Sequence, residues 1–130
     1  MSEIPEAAPI MTAAGIEELL QRGIDLFNHG SYFEAHEAWE QAWLRSTGEE
    51  KLFFQGLIQA AAAMLHAQRG NPDGCRRLWE KAASKLTPLP GEFGAIALAE
   101  LRSALDDFFH RVLSGQAPRQ PPEIKRLSRK

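Results

Sequence analysis

His36 and Glu40 are the residues of this 130-residue chain whose types and spacing best suit chemistry. They lie four positions apart, so on an α-helix they share one face, one turn apart. An imidazole nitrogen and a carboxylate oxygen can both bind a divalent metal ion such as zinc. The same pair could exchange a proton without a metal, or form a structural or small-ligand hydrogen-bonded network. The residues alone leave these three alternatives open.

Helical periodicity predicts that the pair is buried. At ~100° per residue, one face within roughly 80° carries Phe33, His36, Glu40 and Trp43. The opposite face, which we expect to be in water, carries Glu34, Glu37, Ala38 and Gln41. A buried polar group without a partner costs about 1–3 kcal/mol, so His36 and Glu40 need partners. Glu37 points about 100° away from His36 and is at most a supporting residue.

The next helix supplies candidate partners. Gln55, Gln59 and His66 fall within roughly 40° of one another, on a side otherwise rich in alanine. We expect one pocket that contains these residues together with His36 and Glu40; in the metal alternative, His66 is a third ligand. Trp43, Gln55 and Gln59 would line it. A divalent metal held there would lower the pKa of a bound water and permit hydrolysis.

The elements that position these residues are helices. The pattern predicts five, over about residues 12–28, 31–45, 49–69, 72–87 and 95–114, and no strand, because no segment alternates with a period of two. Thr12 and Ser31 are candidate N-caps, and Glu34 would complete a capping box with Ser31. The fold class is therefore all-α, a compact bundle of two antiparallel helical hairpins plus a C-terminal helix. The domain boundaries are a flexible lead over 1–11, one helical domain over 12–115, and a Pro-rich, basic tail over 116–130.

A weak internal repeat supports paired hairpins. An offset of 40 residues aligns Gly30 with Gly70 and Trp39 with Trp79. Each copy is a helix, a glycine turn and a second helix, which is tetratricopeptide-like in part. The three tryptophans, at helical spacing, are expected in the core.

Composition narrows the function classes. A formal charge of −2 provides no basic field, so we expect no nucleic-acid partner. No apolar run approaches the ~20 residues of a membrane span, and the N-terminus lacks a secretory pattern. The single cysteine, Cys75, is interpreted as a small buried hydrophobe. We therefore expect a cytoplasmic protein whose partners are another protein or a second copy, bound through helix faces.

The segment around His36 resembles a known family. Residues 36–43, His-Glu-Ala-Trp-Glu-Gln-Ala-Trp, match the HxxxExxW pattern of the bacterial and archaeal family called domain of unknown function 309. Leu-Phe-Asn at 26–28 and Phe-Gln-Gly-Leu-Ile-Gln at 54–59 are similar to it too, and the resemblance covers roughly residues 16–90. It implies an all-helical fold and a metal-binding role for His36 and Glu40, with Trp43 as the aromatic of the motif.

Two functional hypotheses follow. The favoured one is an uncharacterised binding or scaffold-type domain, with an exposed apolar groove and a sealed, hydrogen-bonded cluster of His36 and Glu40. The alternative is a metal-binding protein or metal-dependent hydrolase, with a cleft in which His36, Glu40 and His66 converge. Neither the catalytic residues, the cofactor nor whether the protein is an enzyme follows from the sequence.

Overall fold

The helices lie where the periodicity predicts them. The computed structural model describes residues 13–116 and 120–127, with side chains from Gly15 onward. Its helices are α1 (Ala13–Asn28), α2 (Tyr32–Leu44), α3 (Gly48–Gln68), α4 (Pro72–Leu86) and α5 (Leu98–Leu113). The all-α prediction is confirmed. Thr12, the candidate cap of α1, lies outside the described residues.

Glycine turns close α1 and α3 in the same way. Gly30 and Gly70 have φ values of 84° and 70°, a conformation that a side chain disfavours. The residue after each glycine donates its N–H to a carbonyl five positions earlier, Ser31 to Leu26 and Asn71 to His66, at 2.9 Å in both cases. This is the Schellman ending, and it recurs at the 40-residue offset.

The N-terminal end of α2 differs from expectation. Ser31 makes no side-chain capping bond, so the predicted capping box with Glu34 is wrong. The expected start of α4 is confirmed: Pro72 is its first residue, and the Asn71 side chain accepts a hydrogen bond from the Gly74 N–H.

Successive helices pack side by side, and α5 packs against α4. Trp39 and Trp79 are both buried, as predicted for core residues. The Trp79 indole donates to Asp106 at 3.0 Å and packs 5.1 Å from the Phe109 ring, which joins α4 to α5. Cys75 is buried too, and burial raises the pKa of its thiol. Among the described residues, no helix combines the length and the apolar composition that a membrane crossing requires.

A small β-hairpin precedes α5, so the prediction of no strand is wrong at this point. Strands β1 (Glu92–Phe93) and β2 (Ile96–Ala97) pair antiparallel. Gly94 and Ala95 join them, both with positive φ, as tight hairpin turns require. Strands of two residues are too short to show alternation. The Phe93 ring lies 4.9 Å from that of Phe53, which packs the hairpin against α3.

The described part of the C-terminal tail runs back to α1. The Asn28 amide pairs with both backbone groups of Ile124, accepting its N–H at 2.8 Å and donating to its carbonyl at 2.9 Å. The Ile124 side chain is only 3% exposed. Leu127 donates its N–H to Ala95 at 2.7 Å. Residues 120–127 therefore contribute to the core as well as to the surface.

Candidate functional site

Helix α2 is rotated relative to the prediction. Its buried residues are Tyr32, Ala35, Ala38, Trp39 and Ala42. Glu40 is exposed, and His36 and Trp43 are half-buried, so the expected burial of a His36–Glu40 pair in the core is wrong. The prediction followed the aromatic residues, whereas the alanines of α2 pack against the neighbouring helices.

The fit between Trp39 and Gly23 explains this rotation. The indole of Trp39 lies against α1 where Gly23 has no side chain; a Cβ there would be 2.1 Å from the indole nitrogen. The same nitrogen donates to the Leu20 carbonyl at 3.2 Å. Directing Trp39 toward α1 turns His36 and Glu40 away from it, because the side chains of one helix rotate together.

His36 lies on the half-exposed side of α2, beside Phe33. Their rings are nearly parallel, with an interplanar angle of 7° and a centroid distance of 6.3 Å. The Nδ1 atom of His36 is buried and has no hydrogen-bond partner in the described part of the chain. Such atoms are rare in folded proteins and call for an explanation.

Trp43 is covered by Lys51, a residue that the sequence analysis did not single out. The Lys51 ammonium lies 4.0 Å from the centroid of the indole and donates to the Trp43 carbonyl at 2.9 Å. It therefore stabilises both an aromatic face and the C-terminal end of α2. The indole nitrogen of Trp43 is buried without a partner among the described residues. The sequence signal for this contact was the position of Lys51 in the first turn of α3, just after the short linker from α2.

The predicted glutamines lie on the adjacent part of α3. Gln55 and Gln59 are half-buried, and the Oε1 atom of Gln59 is a further buried polar atom with no partner in the ranges described. Helices α2 and α3 run antiparallel and meet where Lys51 covers Trp43. Gln59 follows Lys51 on α3 by about as many residues as His36 precedes Trp43 on α2, so Gln59 and His36 lie at about the same height along the two helices. The unpartnered atoms of His36, Trp43 and Gln59 thus belong to one region of the α2–α3 pair.

His66 has a different role from the one predicted. Its Nδ1 lies 2.9 Å from the amide nitrogen of Asn71, whose oxygen is already bonded to the Gly74 N–H. The amide therefore donates to His66 Nδ1, and the neutral ring carries its proton on Nε2. His66 connects α3 to the start of α4.

Glu37 is exposed and lines a wide cleft of about 870 Å³ between α1 and α2, away from α3.

The predicted three-ligand metal set is not assembled. Within residues 13–116 and 120–127, no group of three or more His, Cys, Asp and Glu side chains could hold a metal ion. His66 is therefore not a third ligand beside His36 and Glu40 in this structure. A two-residue metal site at His36 and Glu40 stays a prediction.

The sequence analysis expected an exposed apolar groove, but it did not choose the residues that the structure exposes. The large hydrophobic side chains exposed in the described part of the chain are Phe33, Leu44 and Leu52, at 51%, 67% and 36%. All three lie on the α2–α3 pair. We define the α2–α3 face by Phe33, His36, Glu40, Trp43, Leu44 and Leu52. The exposed carboxylates of Glu40, Glu49 and Glu50 lie on the same helix pair, whereas Glu34 and Glu37 line the cleft between α1 and α2.

The unpartnered Nδ1 of His36 yields a stability prediction. We expect His36→Leu to leave the free energy of unfolding unchanged or to raise it by about 1 kcal/mol. Leucine removes the buried polar atom and favours the helix more than histidine does. Urea denaturation measures the effect, and the exposed His29→Leu is the matched control. A loss of about 2 kcal/mol or more would mean that Nδ1 has a partner that stabilises the fold.

The same variant tests the metal hypothesis. A metal held by the native state raises its melting temperature. If added zinc stabilises the wild type but neither His36→Leu nor Glu40→Gln, the two residues bind metal. Equal responses of all three proteins would contradict the hypothesis.

Comparison with known proteins places the α2–α3 pair in a family. The family model described as Domain of unknown function (DUF309) matches residues 20–78. An uncharacterized protein of Aquifex aeolicus (strain VF5) is 33% identical over 109 residues, which cover 83% of this chain. The aligned part makes up 32% of that relative, so the chain spans about a third of its length.

Proposed function

We propose that this chain, which belongs to the family of domain of unknown function 309 over residues 20–78, is a protein-binding domain that docks a partner on its α2–α3 face. The observation that carries the proposal is the exposure of Phe33, Leu44 and Leu52 on two adjacent helices. Single exposed hydrophobic residues are ordinary on a protein surface, but several on one helix pair are typical of an interaction site.

The dimensions and charge of the face favour a basic amphipathic helix as the partner. Phe33 and Leu44 are 11 residues apart on α2, about 16 Å along its axis, which matches three turns of a docked helix. The exposed carboxylates of Glu40, Glu49 and Glu50 would attract basic side chains at the edge of that helix. Two copies of the face would bring like charges together, which argues against a symmetric homodimer.

The unpartnered polar atoms support the same site. Trp43 Nε1 is a donor and Gln59 Oε1 an acceptor, and each costs free energy while it is buried without a partner. A partner that shifts the covering side chains could satisfy both atoms and recover that cost. Natural sequences commonly keep such local costs at functional sites.

The relative from Aquifex aeolicus supports a modular role. There the matching sequence is a minority of a longer chain, as expected of a domain that works beside other parts of a protein. The alternative function, a metal-binding protein or metal-dependent hydrolase using His36 and Glu40, requires further ligands from outside the described residues. We therefore rank it second.

The test compares two double variants of the full chain as baits. Phe33→Ser with Leu44→Ser removes the apolar contacts, and Arg77→Ser with Glu80→Ser is the control on the exposed surface of α4. We expect the wild type and the control to capture a common protein. The first double variant should lose it.

The captured protein is then tested directly. Its basic amphipathic segment, as a labelled peptide, should bind about tenfold or more weakly to the Phe33–Leu44 variant in fluorescence anisotropy. The affinity should also fall as salt is added, because exposed charges are screened. Equal binding to both double variants would contradict the proposal, as would dimerisation of the chain through this face in sedimentation equilibrium.

A further inference from the structure

A second candidate site lies on the other side of α2. A pocket of about 370 Å³ opens where the start of α2 meets the C-terminal ends of α3 and α5. Its walls are Tyr32, Met64, Ala67, Gln68, Phe108, Val112, Gly115, Gln116 and Pro121. It shares no residue with the α2–α3 face. Its volume is at the lower end of the ~300–1,000 Å³ of small-molecule sites.

The walls are mostly apolar, and none of the described residues that line the pocket carries a charged side chain. Met64, Phe108 and Val112 supply apolar surface from two different helices. Gln68 and Gln116 supply amide groups at the exposed edge. A ligand with a full charge would lose its hydration here without gaining an ion pair, so the walls select against it.

Tyr32 is a wall residue of this pocket and carries a hydroxyl group. The residue is 3% exposed, and its hydroxyl makes no hydrogen bond with another described residue. Burial raises the pKa of that hydroxyl, so it remains protonated at neutral pH and able to donate. A bound molecule that carries a hydrogen-bonding group could pair with this hydroxyl.

The C-terminal segment forms part of the wall. Pro121 lies three residues before Ile124, which is inserted in the core and bonded through its backbone to Asn28. Arg126 continues the attachment by donating to Gln21 at 2.7 Å and by pairing with Glu17. The position of Pro121 therefore depends on the docking of the segment on α1.

We propose that this pocket binds a small uncharged, largely apolar molecule with a hydrogen-bonding group that pairs with Tyr32. Binding of the ligand and docking of residues 120–127 on α1 stabilise each other, because the segment supplies a wall of the pocket. The site is independent of partner docking on the α2–α3 face, so either proposal can fail without the other.

The test uses a neutral fluorescent probe and its charged analogue. Titration of the full chain with 1-aminoanthracene should give a saturable rise in fluorescence. Anthracene-1-carboxylate should bind about tenfold or more weakly, since the described wall residues offer no cation. Comparable affinities for the two probes would overturn the proposal, because the selectivity against charge would be missing.

Two variants fill the pocket. Ala67→Leu and Val112→Phe should each weaken 1-aminoanthracene about tenfold or more, whereas Ala62→Leu, on α3 outside the pocket, should leave its affinity unchanged. Ile124→Ser should weaken it as well, through loss of the Pro121 wall. Circular dichroism confirms that each variant is folded at the titration temperature. Unchanged affinity in both filled variants would place the probe elsewhere and overturn the proposal.

Discussion

Replacing Gly23 by alanine is expected to lower the free energy of unfolding by about 3 kcal/mol or more, a large share of the stability of a domain. The new Cβ would lie 2.1 Å from the indole nitrogen of Trp39 and 2.4 Å from a ring carbon. Trp39 is fully buried, so its rigid ring has no space into which to move. Its hydrogen bond to the Leu20 carbonyl would break as well.

Thermal and urea denaturation measure this loss, and Gly91→Ala is the matched control. A Cβ on Gly91 would meet the Ala99 Cβ at 3.6 Å, an ordinary contact. We expect the control to change stability by less than about 1 kcal/mol. If the two variants were equally stable, Trp39 would not pack against α1 as the structure has it, and the rotation of α2 would need another cause.

Ile124→Ser is expected to release the C-terminal segment from α1. Removing a buried isoleucine side chain costs about 2–4 kcal/mol, and the serine hydroxyl would enter an apolar site. The two hydrogen bonds between the Asn28 amide and the backbone of residue 124, and the contacts of Arg126, offset only part of this loss, since each hydrogen bond contributes only about 1 kcal/mol net. Residues 120–127 should therefore detach at temperatures at which the helices remain folded.

Limited trypsin digestion at Lys125 and Arg126, followed by mass spectrometry, measures the release. The variant should be cut at least about tenfold faster than the wild type, because proteolysis follows the population of the open form. Glu123→Ser, at the exposed neighbouring position, should be cut at the wild-type rate. Equal rates in all three proteins would mean that Ile124 does not anchor the segment.

The helices and their ends were predictable because they depend on local interactions. Gly30 and Gly70 end α1 and α3 through their own backbone conformation, and Pro72 begins α4 because its missing N–H is not needed there. Periodicity alone also predicted a chain dominated by helices. The resemblance noted around residues 36–43 predicted a match to this family, and the family model does match residues 20–78.

The region of the site was predictable in part. Sequence reasoning chose His36, Trp43 and Gln59, and the structure leaves a buried polar atom of each without a described partner. It expected these residues in a sealed core with Glu40, which is exposed. Phe33 and Trp43 indicated the wrong buried face of α2. The buried face carries Trp39 together with the alanines of α2, because an alanine lets a neighbouring helix approach closely.

Only the tertiary structure decided the rotation of α2, the role of His66 and the course of the tail. Trp39 contacts a glycine 16 positions earlier, and Ile124 pairs with Asn28 across 96 positions. Such contacts leave no periodic signal, because each depends on the shapes of two segments brought together by folding. Local propensity therefore determined which elements form, whereas packing between distant residues determined which side chains remained available for binding.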